Sequence, residues 1–233
     1  MLLLIKHLAN DMSSPKVRQS VIKGMTQLVK TCPRSHVYLK QILPKLKDVL
    51  FDSNEGVRSS MIELLTAVKG IKTVHFWSIC PLEDILDRLA RDKKPIANKI
   101  VNLLFNSFFP LDQSEDAKLE RCVYLIKNEP EASRRFYLYL DKMISLHDTV
   151  KFMMAILVSL KRQAQHQLQT MNLTEDDPDK ENQHVPNHAV INQNESTVLK
   201  DGSIRLANDT LQVLTYLLTL ILPKQALKLM IFF

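Results

Sequence analysis

The sequence predicts an all-α protein built from stacked antiparallel helix pairs. Three features carry that expectation. Motifs recur at a step of 40 residues, apolar side chains recur every three or four, and 233 residues hold only four glycines. A helix presents positions i, i+3, i+4 and i+7 on one side, so such spacing makes a buried stripe. All-β folds turn often and draw on glycine to do so, and this chain lacks the supply. The same scarcity excludes phosphate-cradling loops, where close glycines let backbone approach an anion. No two of Gly24, Gly56, Gly70 and Gly202 lie closer than 14 residues, so P-loop ATPases, Rossmann dehydrogenases and kinases are out.

The period is read from aligned residues. Val17-Arg18 recurs as Val57-Arg58, with Ser20 over Ser60, Ile22 over Ile62 and Thr26 over Thr66. Asp52 recurs as Asp92, Pro15 lies 80 residues before Pro95, and Ala97 and Val101 continue the register of Val57 and Met61. The second unit reads Leu43-Pro44-x-Leu46-x-x-x-Leu50-x-Asp52-x-x-x-x-Val57-Arg58. It resembles the HEAT repeat, a helix pair with a period near 40. Ser53-Asn54 offers side-chain oxygens to cap the second helix of that pair. Asp52 and Arg58 can pair with each other or with neighbouring units, so Arg18, Asp52, Arg58 and Asp92 are expected to form a ladder of charge-assisted bonds. Asp11 stands one place out of register and Asn98 replaces an arginine, which predicts irregular rungs there.

The remaining helices follow from their stripes. Leu82, Ile85, Leu86 and Leu89 form one after Pro81; Ala97, Val101, Leu104 and Phe108 form the next, stopped by Pro110. Leu119, Val123 and Ile126 precede Pro130, and Ala132, Phe136, Leu140 and Met143 follow it. Val150, Met153, Leu157 and Leu160 make another, running on into polar residues to Thr170. Residues 1–170 are thus expected to form the array. Residues 171–202 are acidic and polar and cannot bury enough apolar area to offset ordering, which predicts a disordered linker. Residues 203–222 are expected to add a helix on Ile204, Ala207, Leu211, Leu214, Leu218 and Ile221, and 223–233 form an atypical apolar tail. The apolar start and the ending Met230-Ile231-Phe232-Phe233 lack polar capping repeats, which predicts a fragment of a longer array.

Neither a signal peptide nor a membrane span is expected. Lys6-His7 interrupts the opening apolar run, and Leu211 to Leu222 is too short to cross a bilayer. Cys32, Cys80 and Cys122 are odd in number and far apart, as buried reduced thiols of an intracellular protein would be. No GxSxG or HExxH motif occurs, so no catalytic residue, cofactor or small-molecule substrate is assigned. His184 and His188 stand four apart but flank Pro186 in the polar stretch, where solvated linker histidines are the expectation. Phe76-Trp77 and Phe136-Tyr137 sit among Leu and Ile, so core packing is expected of both pairs.

Charge gives the one candidate contact surface. The whole chain carries a net +6, and residues 1–72 hold 12 Lys and Arg against 5 Asp and Glu. Lys16, Lys23 and Lys30 recur every seven residues and project from one side of a helix. Lys40, Lys45 and Lys47 add charge on the preceding helix of the next pair. These six are candidates for phosphate or acidic-partner contact, against the reading of an ordinary solvated lysine face.

Ordered strings extend the resemblance beyond the repeat. They are Phe51-Asp52 through Val57-Arg58, Phe76-Trp77-Ser78-Ile79-Cys80-Pro81, Val101 through Pro110, Glu120-Arg121-Cys122 and Arg134-Arg135-Phe136-Tyr137. Together they are similar to the G-type, HEAT-repeat subunits of the condensin II complex. That resemblance implies a non-catalytic scaffold in the nucleus and on chromosomes. It would bind the kleisin chain and other condensin II subunits, and help the complex engage DNA in mitotic chromosome condensation. ATP hydrolysis would belong to the structural-maintenance partners. The alternative is another HEAT adaptor, a nuclear-transport carrier or phosphatase scaffold that binds protein partners only.

Overall fold

Prolines and short polar side chains set where the helices begin. Pro15 opens α1 (Pro15–Thr31), a position where its missing N–H leaves nothing unpaired. The turn before it is held by Asp11, whose Oδ1 accepts the N–H of Ser13 at 2.8 Å and of Ser14 at 2.9 Å. α2 (His36–Ile42) runs directly into a 3₁₀ stretch, Leu43–Phe51, with Pro44 in its first turn. α3 (Glu55–Lys69) is capped by Asn54, whose Oδ1 accepts from the N–H groups of Gly56 and Val57. α4 (Leu82–Arg91) starts on Glu83 and Asp84 and ends on Arg88 and Arg91, charges that oppose the helix dipole at both ends. α5 (Lys94–Phe108) has Pro95 in its first turn. Ser114 caps α6 (Glu115–Asn128), Pro130 opens α7 (Pro130–Leu138), and α8 is Leu146–Glu175.

The computed structural model describes residues 7–9, 11–140, 143–175, 210 and 211, with the backbone alone at 163 and 166–175. No strand occurs among them, and they are all-α as the spacing predicts. No helix among them is long and apolar enough to cross a membrane. The chain divides into two compact units, Met1–Leu111 and Asp112–Phe233.

In the first unit α3 packs between α1 and α5. The 3₁₀ stretch folds back on α3 across the three-residue joint 52–54, and α4 folds back on α5 across Asp92 and Lys93. Joints this short leave only antiparallel neighbours, so two helix hairpins stack one step of sequence apart. Equivalent positions share a burial: Ile22 and Ile62 are both sealed, and so are Val57 and Ala97. Leu43, Leu46 and Leu50 of the 3₁₀ stretch are sealed, as are Met61, Leu65, Ile85, Leu89 and Leu104 on the helices. Each such side chain contributes about 1.5–3 kcal/mol by leaving water.

The second unit is built on α6, which packs on both α7 and α8. Tyr137 is fully buried there, edge-on to Phe136 at 5.2 Å and stacked on Phe152 at 5.9 Å. Two stripes sit rotated from their expected positions. On α6 the buried residues are Lys118, Cys122, Leu125 and Ile126, while Leu119 and Val123 are only half-buried. Lys118 can occupy the inner face because Glu115 accepts a hydrogen bond from its Nζ at 2.8 Å. On α8 the inner residues are Phe152, Met153 and Ile156, and Val150 and Leu157 face solvent with Met154 and Val158. The helix continues through Glu175, five residues into the stretch 171–202. The rest of that stretch, with His184 and His188, lies outside the described residues. So do the tail 223–233 and all of 203–222 except Thr210 and Leu211.

Candidate functional site

The dominant polar feature of the first unit is the arginine–aspartate ladder. Arg18 on α1 donates from Nε to Asp52 Oδ2 at 2.6 Å and from Nη2 to Asp52 Oδ1 at 2.8 Å. Its remaining Nη1 donates to the Asp11 carbonyl at 2.6 Å. Arg58 on α3 repeats the arrangement one step on. It reaches Asp92 from Nη2 at 2.7 Å and from Nε at 3.0 Å, and its Nη1 donates to the carbonyls of Asp52 and Ser53. Each guanidinium therefore grips its own corner by the backbone and the next corner by the carboxylate. Planar two-point pairing of this kind suits arginine and would be lost with lysine.

These rungs are shielded. Side-chain exposure is 10% and 8% for Arg18 and Asp52, and 13% and 2% for Arg58 and Asp92. Burial pushes both carboxyls up. The hydrogen bonds outweigh it: Arg18 and the Asn54 N–H hold Asp52 below the ordinary carboxylate range, and Arg88 and Arg58 hold Asp92 there. Arg88, four residues before Asp92 on α4, gives that carboxylate a second guanidinium. Asn98, in the next arginine register, is not part of a rung.

A second set of ties runs beside the ladder. Gln19 Nε2 donates to the Gly56 carbonyl at 3.0 Å and to Ser60 Oγ at 3.2 Å, linking α1 to α3. Lys99 donates to Ser59 Oγ at 2.7 Å and pairs with Glu63, and Lys69 donates to the Leu103 carbonyl at 2.7 Å, linking α3 to α5. Sequence reasoning missed Gln19, Lys69, Arg88 and Lys99. The signal available for Arg88 was its i, i+4 spacing from Asp92.

All six candidate lysines are exposed. Lys16, Lys23 and Lys30 share α1, and Lys30 reaches an open cleft of about 350 Å³ with Glu63, Thr66, Lys99 and Asn102. Glu63 already neutralises Lys99 there, so Lys30 brings the free positive charge. Lys40 on α2, and Lys45 and Lys47 on the 3₁₀ stretch, belong to the other layer and do not line this cleft. Trp77, expected in the core with Phe76, is 56% exposed and stacks on His75 at 4.5 Å, while Phe76 alone is buried.

No cluster of three or more His, Cys, Asp or Glu able to hold a metal occurs among the described residues. The three cysteines are free. Burial raises the Cys80 and Cys122 thiols to about 12, far from a nucleophile's range.

The chain is 42% identical over 153 residues to "Condensin-2 complex subunit G2" of Xenopus laevis and 43% identical over 153 residues to that of Danio rerio. It is 45% identical over 132 residues to that of Mus musculus. These matches cover 57–66% of this chain and 12–13% of the relatives, so the chain spans about an eighth of their length. No family model matches it, and no solved structure does. Over the matched residues, this chain is similar to the condensin-2 G2 subunits.

Proposed function

We propose that the chain serves as a non-catalytic helical scaffold in a condensin-2-type complex. It binds the complex's kleisin chain and helps it engage DNA during mitotic chromosome condensation, in the nucleus and on chromosomes. The observation that carries this reading is the 42–45% identity to condensin-2 G2 subunits. The ladder supports a scaffold role, because its charges are committed to holding helix pairs together. ATP hydrolysis in such a complex falls to the structural-maintenance partners. The test is capture of the purified kleisin of a condensin-2 complex by the folded 233-residue chain. Stoichiometric recovery is expected, and no recovery by a chain with intact helical circular dichroism would overturn the reading.

The lysine row on α1 supports direct contact with the DNA backbone. Three phosphate contacts would give a log–log salt slope of about −2.7. Replacing Lys16, Lys23 and Lys30 by glutamine is expected to abolish that slope. Replacing Lys40, Lys45 and Lys47 reports on the other layer separately. Binding indifferent to salt would end the phosphate reading.

A further inference from the structure

Two joints of the first unit hold aromatic rings outside the core. α1 and α3 run side by side in one direction: Gln19 reaches Gly56 and Ser60 near their starts, and Lys30 lines a cleft with Thr66 and Ala67 near their ends. The joints that follow them, 32–35 and 70–81, therefore lie at the same end of the unit. Val37 and Trp77 stand 40 residues apart, at matching places in successive helix pairs. Beside the first joint Val37 and Tyr38 are 68% and 71% exposed. In the second Trp77 is 56% exposed, although it lies parallel to His75 with ring centroids 4.5 Å apart. The 3₁₀ stretch touches this joint, with Cys80 Sγ standing 4.0 Å from the Lys47 carbonyl. Val74, Phe76 and Ile79 beside Trp77 are sealed, so the edge offers ring surface rather than a pocket for an aliphatic side chain.

The charge at this edge has one sign. No Asp or Glu occurs from Met12 to Lys47 or from Leu64 to Leu82, and the first acids beyond are Asp48 and Glu83. Arg34, Lys40, Lys45, Lys47 and Lys72 are all exposed. We infer that the edge binds single-stranded DNA, whose bases stack on Trp77 and Tyr38 and whose phosphates meet these cations. Aromatic faces set along a basic track hold single strands without sequence preference, because every base has a flat π face. A duplex keeps its bases stacked on one another and cannot offer them, so the edge selects a strand over a duplex. An acidic peptide would satisfy the cations, but open rings at two successive steps of the repeat favour a chain of planar bases. The choice of DNA rests on the reading that the α1 lysines contact the DNA backbone; the site itself uses other residues.

Trp77 is the one tryptophan in the chain, so its fluorescence reads the contact directly. The 233-residue chain is titrated with oligothymidine, with the same strand lacking its bases, with an oligothymidine–oligoadenine duplex, with oligouridine and with polyglutamate. Oligothymidine is expected to quench the fluorescence saturably and to bind more tightly than the other four. Tyr38→Ala, at an exposed position that leaves helical circular dichroism unchanged, should weaken oligothymidine binding at least about fivefold, the loss of one stacked base. Trp77→Leu should do the same when binding is read by the anisotropy of a labelled strand. Absence of quenching would overturn the inference, as would full affinity in Tyr38→Ala or Trp77→Leu. Equal or tighter binding of the base-free strand, the duplex or polyglutamate would overturn it too, and equal or tighter binding of oligouridine would overturn the assignment to DNA. The backbone reading of the α1 lysines is judged separately, by the salt slope of duplex binding, so either can fail alone.

Discussion

Replacing Asp92 by alanine is expected to cost the first unit about 3 kcal/mol. Removing one member of a buried ion pair costs about 3–5 kcal/mol, because the partner charge is left without water or counter-charge. Asp92 is 2% exposed and serves two guanidiniums, which argues for the whole of that range. Two features hold the loss to its lower end. Arg58 keeps its bonds to the Asp52 and Ser53 carbonyls at 2.7 and 3.0 Å, and Arg88, 16% exposed, can turn toward solvent. With a urea slope of about 1–3 kcal/mol/M, the unfolding midpoint should fall by about 1–3 M. Trp77 is the one tryptophan in the chain and lies between α3 and α4, so its fluorescence follows this unit. The control is Asp87→Ala, which removes an i, i+4 pair with the largely exposed Arg91 and should cost no more than about 0.5 kcal/mol. A loss at Asp92 under about 1 kcal/mol would refute the reasoning, because a buried rung would then behave like a surface pair.

Other outcomes follow from the same geometry. Asp52 and Asp92 titrate below their unfolded values, so the stability they add is present above about pH 4 and drains as pH falls through their folded values; Asp52→Asn should flatten that acid limb in a urea–pH series. Cys32, only partly buried, should react first with a thiol reagent in the native state, while Cys80 and Cys122 react only on unfolding. Gly24 sits on α1 with open space around its missing Cβ, so Gly24→Ala should raise stability by about 0.5–1 kcal/mol in the same denaturation assay. Met154→Glu on the solvent face of α8 should change stability by no more than about 0.5 kcal/mol. Phe152→Ala, on its inner face, should cost about 3–5 kcal/mol.

The repeat was legible because equivalent positions meet equivalent surroundings. Ile22 and Ile62 are alike in sequence because both are sealed between layers, and Arg18 and Arg58 because each bridges to the next corner. Which oxygen each arginine would take was not legible. Asp52 and Arg58 lie close enough in sequence to pair, yet the carboxylate goes to Arg18 and only the carbonyl to Arg58. Apolar spacing failed where a helix carries hydrophobic residues on more than one side. On α8, Val150 and Leu157 fit a stripe as well as Phe152 and Ile156 do, and letters alone do not say which row meets α6. On α6 the inner face includes Lys118, which no hydrophobic count would place there without its partner Glu115. Trp77 followed the same logic in reverse: its neighbours Phe76 and Ile79 are buried, and it lies outside, stacked on His75. The six lysines were legible as exposed, but their division between two layers needed the packing of α3 between α1 and α5.

Successive helix pairs are held in register by charge crossing from one pair to the next. A double-mutant cycle on Arg18→Ala and Asp52→Ala tests it most directly, since the two residues are 34 apart in sequence and joined by two hydrogen bonds. The two losses are expected to fall short of additivity by at least about 1.5 kcal/mol. Losses that add to within about 0.5 kcal/mol, the behaviour of independent sites, would contradict it.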